Sequence, residues 1–279
     1  MPHPFVQTIL IALGIARLIT ISPCQAQTLN YGALHSGLAD ATVAFPAQVA
    51  GPNPALYTTE DVQVFSVYTT RPYNIKALTH SGLSATLTPG RMIISSSLSS
   101  MQVYAYRQLS TETSMTFPVR AGTSRRFMPG FRLTSRHVAI DGHGSTSTFA
   151  LSAGFIVPVH HNIYLGASAR HIVQSNLQLH LPRTLGVGFA AKPHAGFWLM
   201  STVYHEPGYQ PALHTALQVM VQKAIQLRYG ITTNPLRWTG GFGIRLATIE
   251  FDAAIERHVL LGWTPELSIN LVRMRRKDL

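Results

Sequence analysis

The chain has 279 residues, of which 46% are hydrophobic and only 12% are charged, so it can form one large β domain and carries about half the charge of an ordinary soluble protein. This balance excludes a disordered chain. The net charge of +11 suggests a polyanionic partner, but the basic residues are scattered except near residues 120–126 and at the C-terminus. We therefore expect contact with anionic lipid headgroups and no nucleic-acid binding.

Residues 1–26 have the pattern of a secretory signal peptide. A mostly apolar run from Phe5 to Ile21 precedes Cys24 and Ala26, which place small residues at the −3 and −1 positions of a cleavage site after Ala26. Cleavage there removes the only cysteine, so the mature chain has neither thiol catalysis nor disulfides. Lipidation at Cys24 is the alternative, although Pro23 fits a lipobox poorly.

Residues 27–60 precede the first regular pattern. They are rich in Ala, Gly and Pro and lack sustained alternation, which predicts an irregular or partly helical segment. Such a segment either folds inside the following domain as a plug or extends away from it. The pattern alone leaves both possibilities open.

Residues 61–274 alternate between apolar and polar side chains, which is typical of β-strands with two different faces. In one strand, the odd positions Ile249, Phe251, Ala253 and Ile255 are apolar, whereas the even positions include the ionisable Glu250, Asp252, Glu256 and His258. A basic tail, residues 275–279, follows the last strand. About fourteen strands are predicted, near residues 61–69, 81–88, 91–98, 107–117, 128–140, 145–157, 162–172, 184–191, 195–204, 211–222, 225–232, 237–246, 249–259 and 264–274.

The apolar face of these strands must be buried away from water. No convincing amphipathic helix follows residue 27, and no stretch of the mature chain reaches the roughly 18 apolar residues of a spanning helix. A transmembrane antiparallel β-barrel resolves this, because the apolar face meets lipid, the polar face lines a lumen and closure leaves no free strand edge. We therefore predict an all-β barrel in the outer membrane of a Gram-negative cell. A soluble β-sandwich or jelly roll is the alternative on pattern alone.

The lengths of the connections give an independent indication of the topology. Residues 89–90 and 247–248 form short connections, whereas 70–80 and 173–183 are long. Barrels with both termini in the periplasm have short periplasmic turns and longer external loops. The connection 118–127 is long where a short turn is expected, so the strand count is predicted to within about two.

Five charged residues are predicted to face the lumen. An ionisable side chain facing hydrocarbon costs several kcal/mol, whereas a wet lumen lets such groups pair. The favoured interpretation is cross-strand ion pairing, and the alternative is that these side chains hold a plug or a ligand headgroup. The five residues are Arg228, Arg245, Glu250, Asp252 and Glu256.

The thirteen histidines do not indicate a metal site, because none has a ligand spacing such as HExxH. We expect His137, His143, His171 and His180 to be solvated residues of turns or loops. No nucleophile motif such as GxSxG is present, so we expect no enzyme, no cofactor and no catalytic residue.

Three segments resemble the PorV/PorQ group of outer-membrane barrels, which is in turn similar to the FadL long-chain fatty-acid transporters. They are NPALY at 53–57, LPRTLGVGFAAKP at 181–193, and the stretch from YGITTN to LSINL at 229–271. The resemblance implies a fourteen-stranded barrel whose N-terminal segment folds into the lumen. It also implies that Asn53, Pro54 and Ala55 form part of that plug.

The resemblance leaves two functions open. PorV/PorQ-like barrels act with type IX secretion machinery, which implies secretion proteins as partners and is the first expectation here. FadL-like barrels carry hydrophobic compounds across the outer membrane, which is the alternative and implies a small-molecule ligand. Transport predicts a kinked strand beside an apolar pocket, whereas partner binding predicts a filled lumen and an apolar external loop surface.

Overall fold

A computed structural model describes residues 31–47, 49–58, 61–121, 125–176, 179–222 and 224–275. The predicted signal peptide, residues 1–26, and residues 276–279 of the predicted basic tail lie outside the described residues. Within the described part there is one short α-helix, α1, at Ala33–Gly37, and two 3₁₀ turns at Pro72–Asn74 and Lys76–Leu78. None of these helices is long and apolar enough to cross a membrane.

The rest of the described chain is almost entirely β-structure. The strands, in chain order, are β1 Asp61–Thr70, β2 His80–Leu87, β3 Ile93–Val103, β4 Tyr106–Thr116, β5 Val119–Ala121, β6 Arg125–Ile140, β7 Gly144–His160, β8 Ile163–Gln174, β9 Thr184–His194, β10 Phe197–His205, β11 Ala212–Gln222, β12 Ile225–Thr232, β13 Arg237–Leu246, β14 Ile249–His258 and β15 Gly262–Arg275. Each of the fourteen strands predicted from the sequence corresponds to one of these.

Fourteen of the strands close into an antiparallel barrel. β1 pairs with β15 from Asp61 opposite Arg275 to Thr70 opposite Glu266, and β4 pairs with β6. The strand β5 pairs only with the start of β6 and forms a short ribbon at one end. This ribbon occupies the connection 118–127, which explains why that connection is long. The predicted fourteen-stranded all-β barrel is therefore confirmed.

The two faces of the wall have opposite character. Along β1, Phe65 and Val67 are exposed on the outside, whereas Ser66 and Tyr68 are buried on the inside. The same alternation runs around the barrel and produces an apolar outer surface, which a water-soluble monomer would not expose over so wide an area. Outward side chains at least 42% exposed include Leu133, Phe149, Val187, Leu227, Phe251 and Leu267. This surface and the closed barrel confirm the predicted outer-membrane protein and exclude the soluble sandwich.

The two ends of the barrel are distinguished by the chain termini. The end where β1 begins and β15 ends is called the termini end, and the opposite end is called the loop end. Tight turns at both ends use glycines with positive φ, such as Gly196 (φ 86°) at the termini end and Gly262 (φ 95°) at the loop end. Glycine tolerates this conformation without steric cost. The longest described connections, around 71–79 and 175–183, lie at the loop end.

Residues 31–58, called the inner segment, lie against the inward side of the wall. Leu38, Ala41, Ala44 and Phe45 form an apolar cluster with inward residues of β9, β10 and β11, including Met200. Further along, Ala55 and Leu56 pack against Ile93, Met128 and Ile156. The inner segment thus supplies the apolar core that a wide, polar-lined barrel otherwise lacks. It also covers the inward side of β10, a strand that is apolar on both faces.

Candidate functional site

Asn53, Pro54 and Ala55 lie in the inner segment near the termini half of the lumen. The side-chain amide of Asn53 donates to the carbonyl oxygen of Val43 at 2.7 Å and to that of Phe155 on β7 at 3.0 Å. The amide oxygen of Asn53 accepts from the backbone N–H of Ala55 at 2.9 Å. Asn53 is 3% exposed, and its side chain therefore joins two parts of the inner segment to the barrel wall.

The wall beside this motif is shaped to receive it. A Cβ atom at Gly154 on β7 would overlap the amide oxygen of Asn53. On β6, Arg132 donates to the carbonyl oxygens of Gly51 at 2.7 Å and Asn53 at 3.2 Å, and it forms an ion pair with Glu112 at 3.2 Å. The Arg132 guanidinium thus binds both the inner segment and the barrel wall.

The first half of the inner segment is bonded to the opposite side of the lumen. The hydroxyl of Thr239 donates to the Gly37 carbonyl oxygen at 3.3 Å, and the Nδ1 atom of His214 donates to the Ala39 carbonyl oxygen at 2.6 Å. The Tyr204 hydroxyl donates to the carbonyl oxygen of Asp40 at 2.9 Å. Backbone oxygens that would otherwise be buried without partners are therefore satisfied by wall side chains.

Four of the five predicted luminal charges form one cluster. Arg228 forms ion pairs with Asp252 and, at 3.4 Å, with Glu250, and Arg245 binds the other oxygen of Glu250 at 2.6 Å. The fifth residue, Glu256, lies apart from this cluster. It pairs instead with Arg237 on the neighbouring strand, at 3.0 Å.

The Arg228 cluster depends on a glycine in the strand between its members. Arg228 on β12 and Asp252 on β14 are separated by β13, where Gly243 is the register partner of Asp252. A Cβ atom at Gly243 would lie 2.6 Å from Oδ1 of Asp252 and 2.9 Å from Nη2 of Arg228. Glycine at this position lets the ion pair reach across a whole strand.

A cavity of about 90 Å³ lies in the loop half of the lumen. Its floor is formed by the inner segment, and its walls come from β6, from β8 to β11 and from β13. Loop residues at the rim include Pro182 and Gln210, so the cavity lies toward the loop end. Its polar and ring-bearing lining includes Tyr31, Asp40, Arg136, Arg170, Tyr204 and His214.

Two carboxyl groups at this cavity lie outside the spanning strands. Burial raises the pKa of Asp40 to about 6, and the nearby Arg237 guanidinium opposes the rise. Burial also raises the pKa of Glu206, at the rim, and the charge of Arg170 opposes it.

The β8 strand is interrupted beside this cavity. Leu151 pairs with Val173 and Ala153 pairs with Ala169, so Ser152 alone faces the three residues 170–172. At the centre of this bulge, His171 has φ 52° and its backbone N–H donates to the Ser152 hydroxyl at 3.0 Å. A bulge of this kind disrupts the ladder locally and is common near functional sites.

The expectation that His171 is a solvated loop residue is wrong. It is 2% exposed, and its Nδ1 atom donates to the Pro182 carbonyl oxygen at 2.8 Å. The bulge turns it inward, which no alternation pattern could indicate. By contrast, His137 and His143 are exposed. Among the described residues, no group of three or more His, Cys, Asp or Glu side chains could hold a metal ion.

The sequence reasoning also missed Arg136 and Arg170. The signal was available for Arg136, because Arg132, Thr134 and Arg136 share the inward phase of β6 with Met128. That phase indicates a lumen-facing arginine but does not reveal whether the arginine has a partner.

Comparison with solved structures places this fold among outer-membrane channels. A deletion mutant of the TodX monoaromatic hydrocarbon channel superposes with a TM-score of 0.57 at 11% identity, covering 87% of this chain and 97% of that one. A Pseudomonas aeruginosa FadL homologue gives 0.56 at 11% identity, covering 88% and 98%. The Pseudomonas putida toluene transporter TodX gives 0.54 at 10% identity, covering 89% and 98%.

Sequence comparison adds nothing to this likeness. No protein-family model matches the chain, and no curated protein matches it. At 10–11% identity the structural likeness concerns the fold alone. The chain therefore has the fold of the FadL-like and TodX-like outer-membrane β-barrels.

Proposed function

We propose that this protein is a non-enzymatic outer-membrane transporter that admits a small molecule at the loop end, with the inner segment acting as a luminal plug. The observation that carries the proposal is the cavity floored by the inner segment and bordered by the interrupted strand β8. Proteins with this fold include structures named as a hydrocarbon channel and a toluene transporter. The transporter alternative thus replaces the secretion-associated role as the leading hypothesis.

The secretion-associated role remains a proposal without support among the compared structures. It requires a surface for protein partners at the loop end. The most exposed large apolar loop residues, Tyr104 (87%) and Leu260 (80%), belong to separate turns, between β3 and β4 and between β14 and β15. Leu260 is flanked by the exposed Val259 and Leu261, whereas Tyr104 lies in a different turn and does not extend that apolar stretch.

The cavity departs from the simplest expectation for a transporter. A kinked strand is present, but the neighbouring cavity is polar and carries arginines where an apolar pocket was expected. The hydrogen bonds of the inner segment to opposite walls support its role as a plug that blocks straight passage along the lumen. We therefore infer that a ligand leaves sideways at the β7–β8 bulge, where the ladder between the two strands is interrupted.

A two-residue deletion tests the sideways exit. Removing His171 and Ile172 leaves Arg170 alone opposite Ser152 and restores an unbroken ladder while keeping the inward and outward phases of β8. Cells expressing the intact barrel should take up radiolabelled toluene or oleate faster than cells without it, and the deletion should abolish this gain. Both proteins must show the compact migration of a folded barrel on unheated gels. Equal uptake by the deletion variant would refute the exit route.

Purification from native membranes separates the two functions. Mass spectrometry of proteins and extracted small molecules that accompany the detergent-solubilised barrel should find an apolar or amphipathic compound and no stoichiometric protein partner. Stoichiometric secretion components with no specific small molecule would overturn the transporter proposal in favour of the secretion role.

A further inference from the structure

Arg136 is the most unusual charged residue at the cavity. It lies on β6, points inward and is 8% exposed. Its Nε atom is buried without a hydrogen-bond partner among the described residues, and its guanidinium forms no ion pair with any described carboxylate. A buried arginine with an unsatisfied donor and no ion pair is costly, and one that a protein retains points to a ligand or to a switch.

Arg170 approaches the same cavity from β8. Its Nη1 atom donates to the phenolic oxygen of Tyr31 at 3.4 Å, and its Nε atom is buried without a partner among the described residues. The phenolic oxygen of Tyr31 also accepts from Arg132 at 3.1 Å. Because that oxygen accepts from two arginines, the hydroxyl proton of Tyr31 points away from both. The wall thus presents several donors in one place.

The lack of an ion pair at Arg136 is not a general property of arginines that face the lumen. Arg228, Arg237 and Arg132 each have a carboxylate within 3.4 Å. These three arginines are therefore neutralised by carboxylates of the barrel wall. Among the described residues, Arg136 and Arg170 are the two inward arginines that line this cavity and carry an Nε without a hydrogen-bond partner.

We propose that this cavity binds a small organic carboxylate, whose oxygens accept hydrogen bonds from Arg136 and Arg170 while its apolar body lies against the rings of Tyr204 and His214. A guanidinium fork matches a carboxylate in geometry and charge. The proposal deepens the proposed function by naming the substrate class, and it rests on that function only for the step of transport.

The charges around the cavity favour a single negative charge over a phosphate dianion. Asp40 and Glu206 already contribute acidic groups at the floor and the rim. Their carboxylates repel a doubly charged ligand more strongly than a monocarboxylate. The volume of about 90 Å³ means that the part of the ligand inside the cavity is compact.

Calorimetry on the full-length protein in detergent micelles tests the site without requiring transport. The probes are hexanoate and benzoate, each compared with its neutral amide and with inorganic phosphate. At least one carboxylate should bind at one site per barrel, about tenfold or more tightly than its amide. Equal affinity for acid and amide, tighter binding of phosphate, or no binding of either carboxylate would overturn the proposal.

Matched substitutions assign the binding to the two arginines. Arg136→Gln and Arg170→Gln should each weaken carboxylate binding about tenfold or more. Arg107→Gln is the control, because Arg107 forms an ion pair with Asp141 at the surface, where both side chains are about 60% exposed. A purely structural Arg136 would give the opposite pattern, with lower thermal stability and unchanged affinity.

The outcomes for the site and for the transporter remain distinguishable. Carboxylate binding without uptake by cells would retain the site and refute transport. Uptake of toluene without carboxylate binding would retain transport and refute the site.

Discussion

Replacing Arg228 by glutamine should cause a large loss of stability among the luminal charges. Its side chain is fully buried and donates to Gln218 at 3.2 Å and to Gln226 at 3.0 Å, in addition to its ion pairs with Asp252 and Glu250. Without the guanidinium, the Asn270 amide, at 2.7 Å, is the side-chain partner that Asp252 keeps among the described residues. A buried carboxylate then remains without a countercharge.

The size of the effect follows from the burial of both partners. Removing one member of a buried ion pair costs about 3–5 kcal/mol, because the remaining charge stays desolvated. Arg245→Gln is the matched control, because Arg245 is 36% exposed and binds Glu250 alone. An ion pair at that exposure contributes about 0–1 kcal/mol. We therefore expect Arg228→Gln to cost several times as much as Arg245→Gln.

Equilibrium unfolding in guanidinium chloride, followed by tryptophan fluorescence in micelles, measures these differences. Asp252→Asn should be costly alone, and the double variant Arg228→Gln with Asp252→Asn should cost clearly less than the sum, because the neutral pair leaves no unpaired charge. The reasoning fails if Arg228→Gln costs no more than Arg245→Gln. Additive single costs would show that the two residues do not act as a pair.

Two further predictions concern the inner segment and the strand between the paired charges. Asn53→Ala removes the amide that ties the inner segment to β7, so pore conductance in planar bilayers and protease sensitivity should both rise, and unchanged values would exclude an anchoring role. Gly243→Ala should lower the melting temperature of the barrel, because its Cβ would lie 2.6 Å from Asp252. Gly240→Ala, where a Cβ meets nothing within 4 Å, should change it little, and equal effects would contradict the steric argument.

The strands were predictable because a lipid-facing wall repeats the same two-residue pattern in every strand. β12 and β13, for example, have the bounds that the alternation predicts. The ribbon of β5 was not predicted, because three residues that pair with a single neighbour leave no repeat to detect. The bulge at His171 was missed for a related reason. The bulge depends on the positive φ of His171 alone, whereas the apolar–polar alternation is a pattern over many residues.

The luminal location of the charges was predictable, but their partners were not. Alternation assigns a residue to a face, whereas pairing depends on the register between strands. Arg245 and Glu250 are direct register partners. Arg228 instead reaches past Gly243 to a residue two strands away, and Glu256 pairs with Arg237 diagonally across the β13–β14 ladder. These choices depend on which intervening positions lack side chains.

Luminal arginines with and without hydrogen-bond partners lie in different halves of the lumen. This separation explains how one barrel can be stable and also bind a ligand. In the termini half, Arg228 has a full set of partners, and the Asn53 amide is fully hydrogen-bonded. Among the described residues of the loop half, Arg136 and Arg170 keep buried Nε atoms without hydrogen-bond partners. A closed barrel can tolerate that cost at one end, because its strands are joined by backbone hydrogen bonds and not by those two side chains. The same unsatisfied donors favour the binding of an anion. A ligand whose oxygens accept hydrogen bonds from these two arginines removes the energetic cost of leaving them unpaired.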